Sequence, residues 1–177
     1  MKQKEIFLRS EGDAWFTRNQ QGVATRKLPG DDALLRELLD FLPVNATGGG
    51  EKVLEIGCGD GTRLAWLKDN LNADCNGIEP SAEAVAAACT KGINVQQGTA
   101  DVLPFDNQSF DIVIFGFCLY LCDREDLFRI ASEADRVLRT PGWLVIMDFY
   151  STVPRARTYH HRPGVQSYNM DYRSLFA

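Results

Sequence analysis

The sequence lacks the residue clusters that hold structural metals or disulfide frameworks. Its five cysteines form no C-x-x-C pair, and an odd count with scattered spacing argues against a disulfide framework. Cys118 and Cys122 lie four residues apart, but no histidine is nearby in the sequence to complete a metal site with them. We therefore expect reduced, partly buried thiols and no metal.

Long apolar runs and an excess of positive charge are also missing. No stretch approaches the roughly 18 consecutive apolar residues that a membrane helix needs, and residues 1–5 carry no secretory apolar core. The net charge of -5 argues against a broad basic surface for nucleic acid. With 177 residues, 45% of them hydrophobic, we expect one globular domain that resides in the cytoplasm and involves no membrane.

What the chain does have is a strand, a glycine turn and a helix start within residues 52–68. The short apolar run at 53–56 is typical of a strand buried in a parallel sheet. Alternating glycines begin at Gly57, and Thr62 stands where the third glycine of a dinucleotide fingerprint would be. The pattern favours a tight turn whose bare backbone faces a ligand, although a purely structural turn stays an alternative.

Strand and helix patterns alternate along most of the chain, which predicts an α/β fold with a Rossmann-like, doubly wound, mostly parallel sheet. A leucine-rich helix is predicted from residue 31 to a stop at Pro43, followed by a flexible connection at 45–50. The remaining predicted elements are strands at 73–79, 93–97, 110–117 and 143–149, a helix from residue 82 to Gly92, and a helix at 123–139.

Both ends of the chain fall outside this alternation. Residues 1–30 are polar and contain Trp15 and Arg18, and we interpret them either as a segment packed on the domain or as a lid that touches the ligand. Residues 31–150 form the predicted ligand-binding domain. Residues 151–177 are basic and irregular and are interpreted as a truncated tail without a closing element.

Two acids follow neighbouring strands at the carboxyl edge of the predicted sheet, where open parallel sheets bind their ligands. Glu79 ends the second strand about 20 residues after the glycine turn, the offset of a ribose-binding acid. Asp101 follows the third strand, and its carboxylate can accept the amine of an adenine. Leu103 and Phe105, or the adjacent Val102, can sandwich the ring. The alternative is that each acid only caps a neighbouring helix or turn.

Four motifs, in this order and spacing, resemble those of the class I S-adenosylmethionine-dependent methyltransferases. They are EIGCGDG at 55–61, GIEPS at 77–81, GTADVLPF at 98–105 and FDIV at 110–113, and the resemblance covers about residues 50–150. It implies a methyltransferase domain with S-adenosylmethionine as its cofactor. The family sheet usually has seven strands with an antiparallel hairpin after the fifth. We expect that hairpin to be lacking here, because the chain is a fragment or because its sheet is trimmed.

The resemblance also implies which residues bind the cofactor. The glycine turn would lie along its methionine part, Glu79 would hold the ribose and Asp101 the adenine amine, with Val102 supplying backbone contact. Phe117, just past the fourth strand, would border the sulfonium and the acceptor. The implied set is Glu55, Gly57, Cys58, Gly59, Glu79, Pro80, Ala100, Asp101, Val102 and Phe117.

No motif defines the methyl acceptor, and the acidic composition favours a small molecule over nucleic acid. Transfer to oxygen needs a base, whereas a neutral amine can react without one. Candidate bases, none assigned a role, are Tyr120, Asp148, Tyr159, His160 and His161. Two rival functions stay open: a non-catalytic methyltransferase-like binding or partner domain and, less favoured, a NAD-dependent oxidoreductase, for which the third fingerprint glycine and a Lys/Tyr hydride-transfer pair are missing.

Overall fold

A computed structural model describes residues 2–41 and 50–176. Five strands form one parallel sheet in the order β3-β2-β1-β4-β5. They are β1 (Lys52–Ile56), β2 (Asp74–Glu79), β3 (Asn94–Gln97), β4 (Phe110–Gly116) and β5 (Leu138–Met147). The helices are α1 (Gln3–Ile6), a π-helical turn (Phe7–Glu11), α2 (Gly12–Ala24), α3 (Ala33–Phe41), α4 (Thr62–Leu71), α5 (Ala82–Thr90) and α6 (Leu127–Val137). Short 3-10 turns lie at Leu119–Leu121, Arg124–Asp126 and Tyr172–Leu175.

The sheet is covered on both faces, as the predicted doubly wound architecture requires. On one face α6 packs its apolar side over Val113 and Phe115 of β4. On the other face α3 and α4 pack over Val53 and Ile114. The central strands are therefore apolar on both sides, which explains their unbroken hydrophobic runs.

The bounds of two helices differ slightly from the predicted ones. The predicted 31–42 helix is seen as α3, and the side chain of Asp32 accepts a hydrogen bond from the Leu35 amide (2.8 Å), as expected of an N-terminal cap. Pro43 and the connection at 45–49 lie outside the described residues. The helix predicted at 123–139 starts as a 3-10 turn and ends at Val137, because Leu138 is already extended and pairs with Phe110 of β4.

The irregular tail predicted at 151–177 is instead partly ordered. It forms an antiparallel hairpin, β6 (Arg155–Thr158) and β7 (Gln166–Asn169), which is a separate sheet. The sequence did not predict this hairpin, because residues far away in the sequence stabilise it: Tyr159 and Val165 pack on Ile6 and Phe7. Within the described ranges β5 pairs with β4 alone, so this hairpin does not extend the main sheet.

The N-terminal segment, for which the sequence predicted no element, is helical from Gln3 to Ala24. Its α2 packs against α5, and the side chain of Asp13 accepts hydrogen bonds from the Ser81 hydroxyl (2.6 Å) and the Glu83 amide (3.1 Å) at the start of α5. These helices lie across the carboxyl edge of the sheet. No helix of residues 2–41 or 50–176 is long and apolar enough to cross a membrane.

Candidate functional site

A cavity of about 470 Å³ lies at the carboxyl edge of β1, β2 and β4. We call the sheet side of this cavity the floor and the helical side, residues 3–24, the roof. The floor contains the glycine turn, Glu79 and Asp101, and the roof contributes Lys4, Phe7 and Trp15, among others. The cavity size is that of a typical small-molecule site.

The glycine turn has the backbone geometry that only glycine adopts easily. Gly57, Gly59 and Gly61 have φ values of +74°, +55° and +67°. A Cβ on Gly57 would lie 2.6 Å from the Cβ of Cys118, whereas a Cβ on Gly59 would meet nothing within 4 Å. The turn is thus packed tightly at its first glycine and open to the cavity at its second.

Glu55 lies on β1 beneath this turn and is almost fully buried, with 1% of its surface exposed. Its Oε1 pairs with Arg63, whose Nη2 lies 2.9 Å from Oδ2 of Asp32. Burial raises the pKa of Glu55 to about 7, although the positive charge of Arg63 opposes the shift. Glu55 was predicted from the sequence. Arg63 was not, because nothing in the sequence distinguishes it from any other arginine in a helix.

One oxygen of Glu55 is left for a ligand. Its Oε2 is buried and has no hydrogen-bond partner among the described residues, and the residue lines the cavity. Burying an unpaired carboxylate oxygen is unfavourable, so a donor that entered the cavity would stabilise it. Together with the open backbone at Gly59, this oxygen fits a ligand with a cationic or amide-like donor near the turn.

Glu79 both supports the turn and faces the cavity. Its Oε2 accepts the Gly59 amide (2.9 Å) and its Oε1 accepts the Ser81 amide (2.9 Å). Burial raises the pKa of Glu79 to about 7, although the two amides favour the charged form. The capping alternative therefore holds in part. Each oxygen can still accept a second hydrogen bond from a ligand hydroxyl.

Asp101 lies at the other side of the floor and is 5% exposed. Its Oδ1 accepts the Thr99 hydroxyl (2.7 Å), and its Oδ2 is paired with the ammonium of Lys4 from the roof. Burial acts to raise the pKa of Asp101, but Lys4 and Thr99 outweigh it and hold the pKa below its usual value. Lys4 was not predicted as part of the site, since it lies 97 residues from Asp101 in the sequence.

The remaining predicted cofactor residues divide into those that line the cavity and one that does not. Cys58, Pro80, Ala100 and Phe117 join the residues above in the lining. Val102 does not, because the turn after Thr99 leaves its side chain 63% exposed to solvent.

The prediction that Leu103 and Phe105 sandwich an adenine ring is wrong, because both residues lie in the core. Leu103 is buried beside α6, where its amide donates to Glu133 (2.7 Å). Phe105 packs edge-on against Phe110 with ring centroids 5.0 Å apart. The apolar positions after Asp101 therefore stabilise the domain and do not reach the cavity.

Of the candidate bases only Tyr120 lines the cavity, and burial raises its pKa to about 12. Asp148 instead accepts the amides of Leu119 (2.8 Å) and Phe149 (2.7 Å), so it holds the chain after β4 in place. The other candidates do not line the cavity. Tyr159 is buried against Ile6 and Phe7, and His160 and His161 are exposed.

The two roof residues singled out by the sequence have different positions. Trp15 lines the cavity. Arg18 points away from it and pairs with Glu11 (2.5 Å) and with the hydroxyl of Tyr159 (3.1 Å). The roof is therefore tied both to the floor, through Lys4, and to the C-terminal hairpin, through Arg18.

The sequence profile described as a methyltransferase domain matches residues 54–146, which contain the floor of the cavity. The chain belongs to the class I S-adenosylmethionine-dependent methyltransferase family. The five-stranded parallel sheet of this methyltransferase domain agrees with that assignment.

Several relatives share this domain. An uncharacterised methyltransferase of Bacillus subtilis, YcgJ, is 33% identical over 109 residues, which are 56% of this chain and 41% of the relative. Its crystal structure superimposes with a TM-score of 0.53 over 58% of this chain and 46% of that one. A fatty-acid O-methyltransferase of Mycolicibacterium smegmatis is 31% identical over 56% of this chain and 37% of its own.

A solved methyltransferase of Thermotoga maritima, described as a possible histamine N-methyltransferase, is 28% identical. Its TM-score is 0.50, over 64% of this chain and 49% of that one. The chain thus spans about half or less of the relatives described here, and the shared part is the methyltransferase domain.

Proposed function

We propose that this protein transfers a methyl group from S-adenosylmethionine to a small-molecule acceptor by in-line displacement. The observation that carries the proposal is the common cavity. Glu55, Glu79 and Asp101 line it together with the open backbone of Gly59, although 46 residues of sequence separate the first acid from the last. A cavity with several carboxylates and bare backbone is suited to a cationic adenosyl ligand that carries no phosphate.

Each part of this floor has a proposed partner on the cofactor. The unpaired Oε2 of Glu55 suits the ammonium of the methionine part, which would lie along the turn at Gly59. The carboxylate of Glu79 suits the ribose hydroxyls, and that of Asp101 suits the adenine amine. Pro80, Ala100 and Phe117 would supply apolar contact.

S-adenosylmethionine supplies a methyl group that is already activated by its sulfonium. The chain's own contribution is to hold the two reactants in line and to exclude water, which can be worth up to about 11 kcal/mol. Trp15 in the roof and Phe117 in the floor border the cavity and serve the second purpose. No covalent intermediate with the protein is needed.

The cavity favours an acceptor that is nucleophilic without a strong base. Among the candidate bases only Tyr120 borders the cavity, and with a pKa raised to about 12 its phenol stays protonated near neutral pH. It can orient an acceptor by hydrogen bonding but cannot remove a proton efficiently. The relatives' names indicate acceptors as different as a fatty acid and an amine. That the acceptor is a small molecule therefore stays a prediction, as does the cytoplasmic location of the protein.

Calorimetric titration with S-adenosylmethionine, and separately with NAD, tests the proposal. We expect micromolar binding of the first and none of the second. Asp101→Asn should weaken the first by about tenfold, the loss of one hydrogen bond to a charged group. The matched control is Asp106→Asn, an exposed acid outside the cavity, which should bind as the wild type does. Binding of neither ligand would favour a non-catalytic partner domain, and binding of NAD alone an oxidoreductase.

A further inference from the structure

The ammonium of Lys4 lies between two carboxylates at the edge of the cavity. Its Nζ pairs with Oδ2 of Asp101 and lies 2.9 Å from Oδ2 of Asp126. The two carboxylates are 5% and 7% exposed, whereas the lysine side chain is 24% exposed. All three residues line the cavity, so a ligand there would meet this group directly.

The two contacts of Lys4 differ in alignment. Nζ donates a well-aligned hydrogen bond to Asp101, and it forms an ion pair with Oδ2 of Asp126 at 2.9 Å. The other oxygen of Asp126, Oδ1, accepts the ammonium of Lys2 (3.0 Å). Asp126 therefore already holds part of the Lys4 ammonium and offers it a partner when Asp101 is occupied.

Lys4 now occupies a position that the adenine amine would need. On Asp101 the Thr99 hydroxyl occupies Oδ1 and the Lys4 ammonium occupies Oδ2. An adenine amine could still donate to a remaining lone pair of this carboxylate, but it would share Oδ2 with a charged donor. The Lys4 ammonium thus competes with the amine and weakens its contact with Asp101 as long as it stays there.

The backbone of Lys4 is held independently of its side chain. The carboxylate of Asp123 accepts the amides of Gln3 (2.9 Å) and Lys4 (3.0 Å) at the start of α1. The ammonium can therefore turn from one acid to the other while α1 stays in place.

We propose that Lys4 is a two-position residue of the cofactor site: its ammonium bridges Asp101 and Asp126 in the free protein and stays on Asp126 alone when the adenine amine of S-adenosylmethionine takes its place on Asp101. This inference rests on the proposed function. It makes Lys4 a positioning residue that sets cofactor affinity, and it makes Asp126, which lies outside the family motifs, part of the same equilibrium.

The test is a double-variant cycle in which calorimetry measures the affinity for S-adenosylmethionine. Lys4→Met should bind about three- to tenfold more tightly, because Asp101 is free in advance. Asp126→Asn should bind about tenfold more weakly, since the ammonium loses its second partner. In the double variant the Asp126 substitution should have little effect, because the ammonium that remains on Asp126 is that of Lys2, which does not contact Asp101.

Lys2→Met is the matched control, since Lys2 pairs with Asp126 and Glu125 but does not contact Asp101. It should bind within about twofold of wild type. Thermal melting of each variant checks that it is folded, and Lys4→Gln replaces Lys4→Met if the latter is not. Nitrogen NMR of the lysine ammonium groups gives a second readout: the Lys4 signal should shift on addition of the cofactor and lose that shift in Asp126→Asn.

Two results would overturn the inference alone. One is a weakened affinity in Lys4→Met, which would make Lys4 a fixed contact of the cofactor. The other is an equal effect of the Asp126 substitution with and without Lys4. Failure of the wild type to bind S-adenosylmethionine would instead overturn the proposed function, and this inference with it.

Discussion

The floor and the roof of the cavity are held by different forces. The floor is fixed by backbone geometry, with glycines at positive φ and amides that donate to Glu79, and by the buried pair of Glu55 with Arg63. The roof is fixed by charged side chains, with Lys4 on Asp101 and Arg18 on Glu11. One half of the site is therefore built from local chain geometry, and the other half from contacts between distant segments.

This difference determines how each half responds to change. A residue in the floor cannot change without moving the chain, so substitutions there should affect binding and stability together. Ion pairs in the roof lie partly in solvent, where each is worth at most about 1 kcal/mol, so the roof should loosen without unfolding the domain.

Removing the charge beneath the glycine turn should have the largest effect. Arg63→Met leaves Glu55 buried without its partner, and breaking a buried pair in this way costs about 3–5 kcal/mol of unfolding free energy. Urea denaturation measures it. In the double variant with Glu55→Gln, part of the loss should be recovered, because only Asp32 is then left without Arg63. An unchanged midpoint for Arg63→Met would show that the pair does not stabilise the floor.

Adding a side chain at the first glycine of the turn should come next. Gly57→Val places a Cβ 2.6 Å from that of Cys118 on a backbone with φ of +74°. We expect a loss of about 2–4 kcal/mol from strain and overpacking, with loss of cofactor binding. Gly164→Ala is the control: its φ is +82° and its Cβ would meet nothing within 4 Å, so about 1 kcal/mol is expected. Equal losses at both positions would contradict tight packing of the turn.

The buried Glu79 should make stability depend on pH. Its pKa is about 7 when folded, against an ordinary value of 4.5, so the folded state binds more protons between these values and stability falls as pH rises through them. The full shift corresponds to about 3 kcal/mol. Unfolding free energies at pH 5 and pH 8 should therefore differ less in Glu79→Gln than in wild type. The same pH dependence in both would show that other groups cause it.

Salt should give the smallest effect and should act on the roof alone. Raising ionic strength from about 0.05 to 0.5 M shortens the screening length severalfold and weakens partly exposed pairs such as Arg18 with Glu11. Amide exchange in residues 3–24 should accelerate by about two- to fivefold, since these pairs are worth a fraction of a kcal/mol. Exchange in residues 52–63 should not change. Acceleration in both segments would show that roof and floor open together.

The same contrast explains what the sequence could predict. The glycine turn, Glu79 and Asp101 were identifiable because each lies beside the strand that positions it. The roof was not, because its defining contacts, such as Gln3 with Gln166, join residues 163 apart in sequence. The resemblance assigned Val102 a backbone contact with the cofactor, which stays a prediction, since the residue is exposed to solvent and lies outside the cavity lining. Local patterns thus define the sheet edge, and tertiary charge pairs define what covers it.

The π turn at Phe7–Glu11 gives the roof a property of its own. A turn of this kind holds one more residue than an α turn, and such turns often mark functional sites. Deleting one residue there should therefore convert it to an α turn and leave the helices on either side nearly in register, whereas a deletion within α2 ahead of Trp15 would rotate the residues that follow by about 100° around the helix axis. In the first case Lys4 keeps its place on Asp101 and Trp15 its place in the cavity; in the second Trp15 leaves the cavity. The turn is thus the point at which the roof can lose a residue without changing the face of α2 that a bound molecule meets.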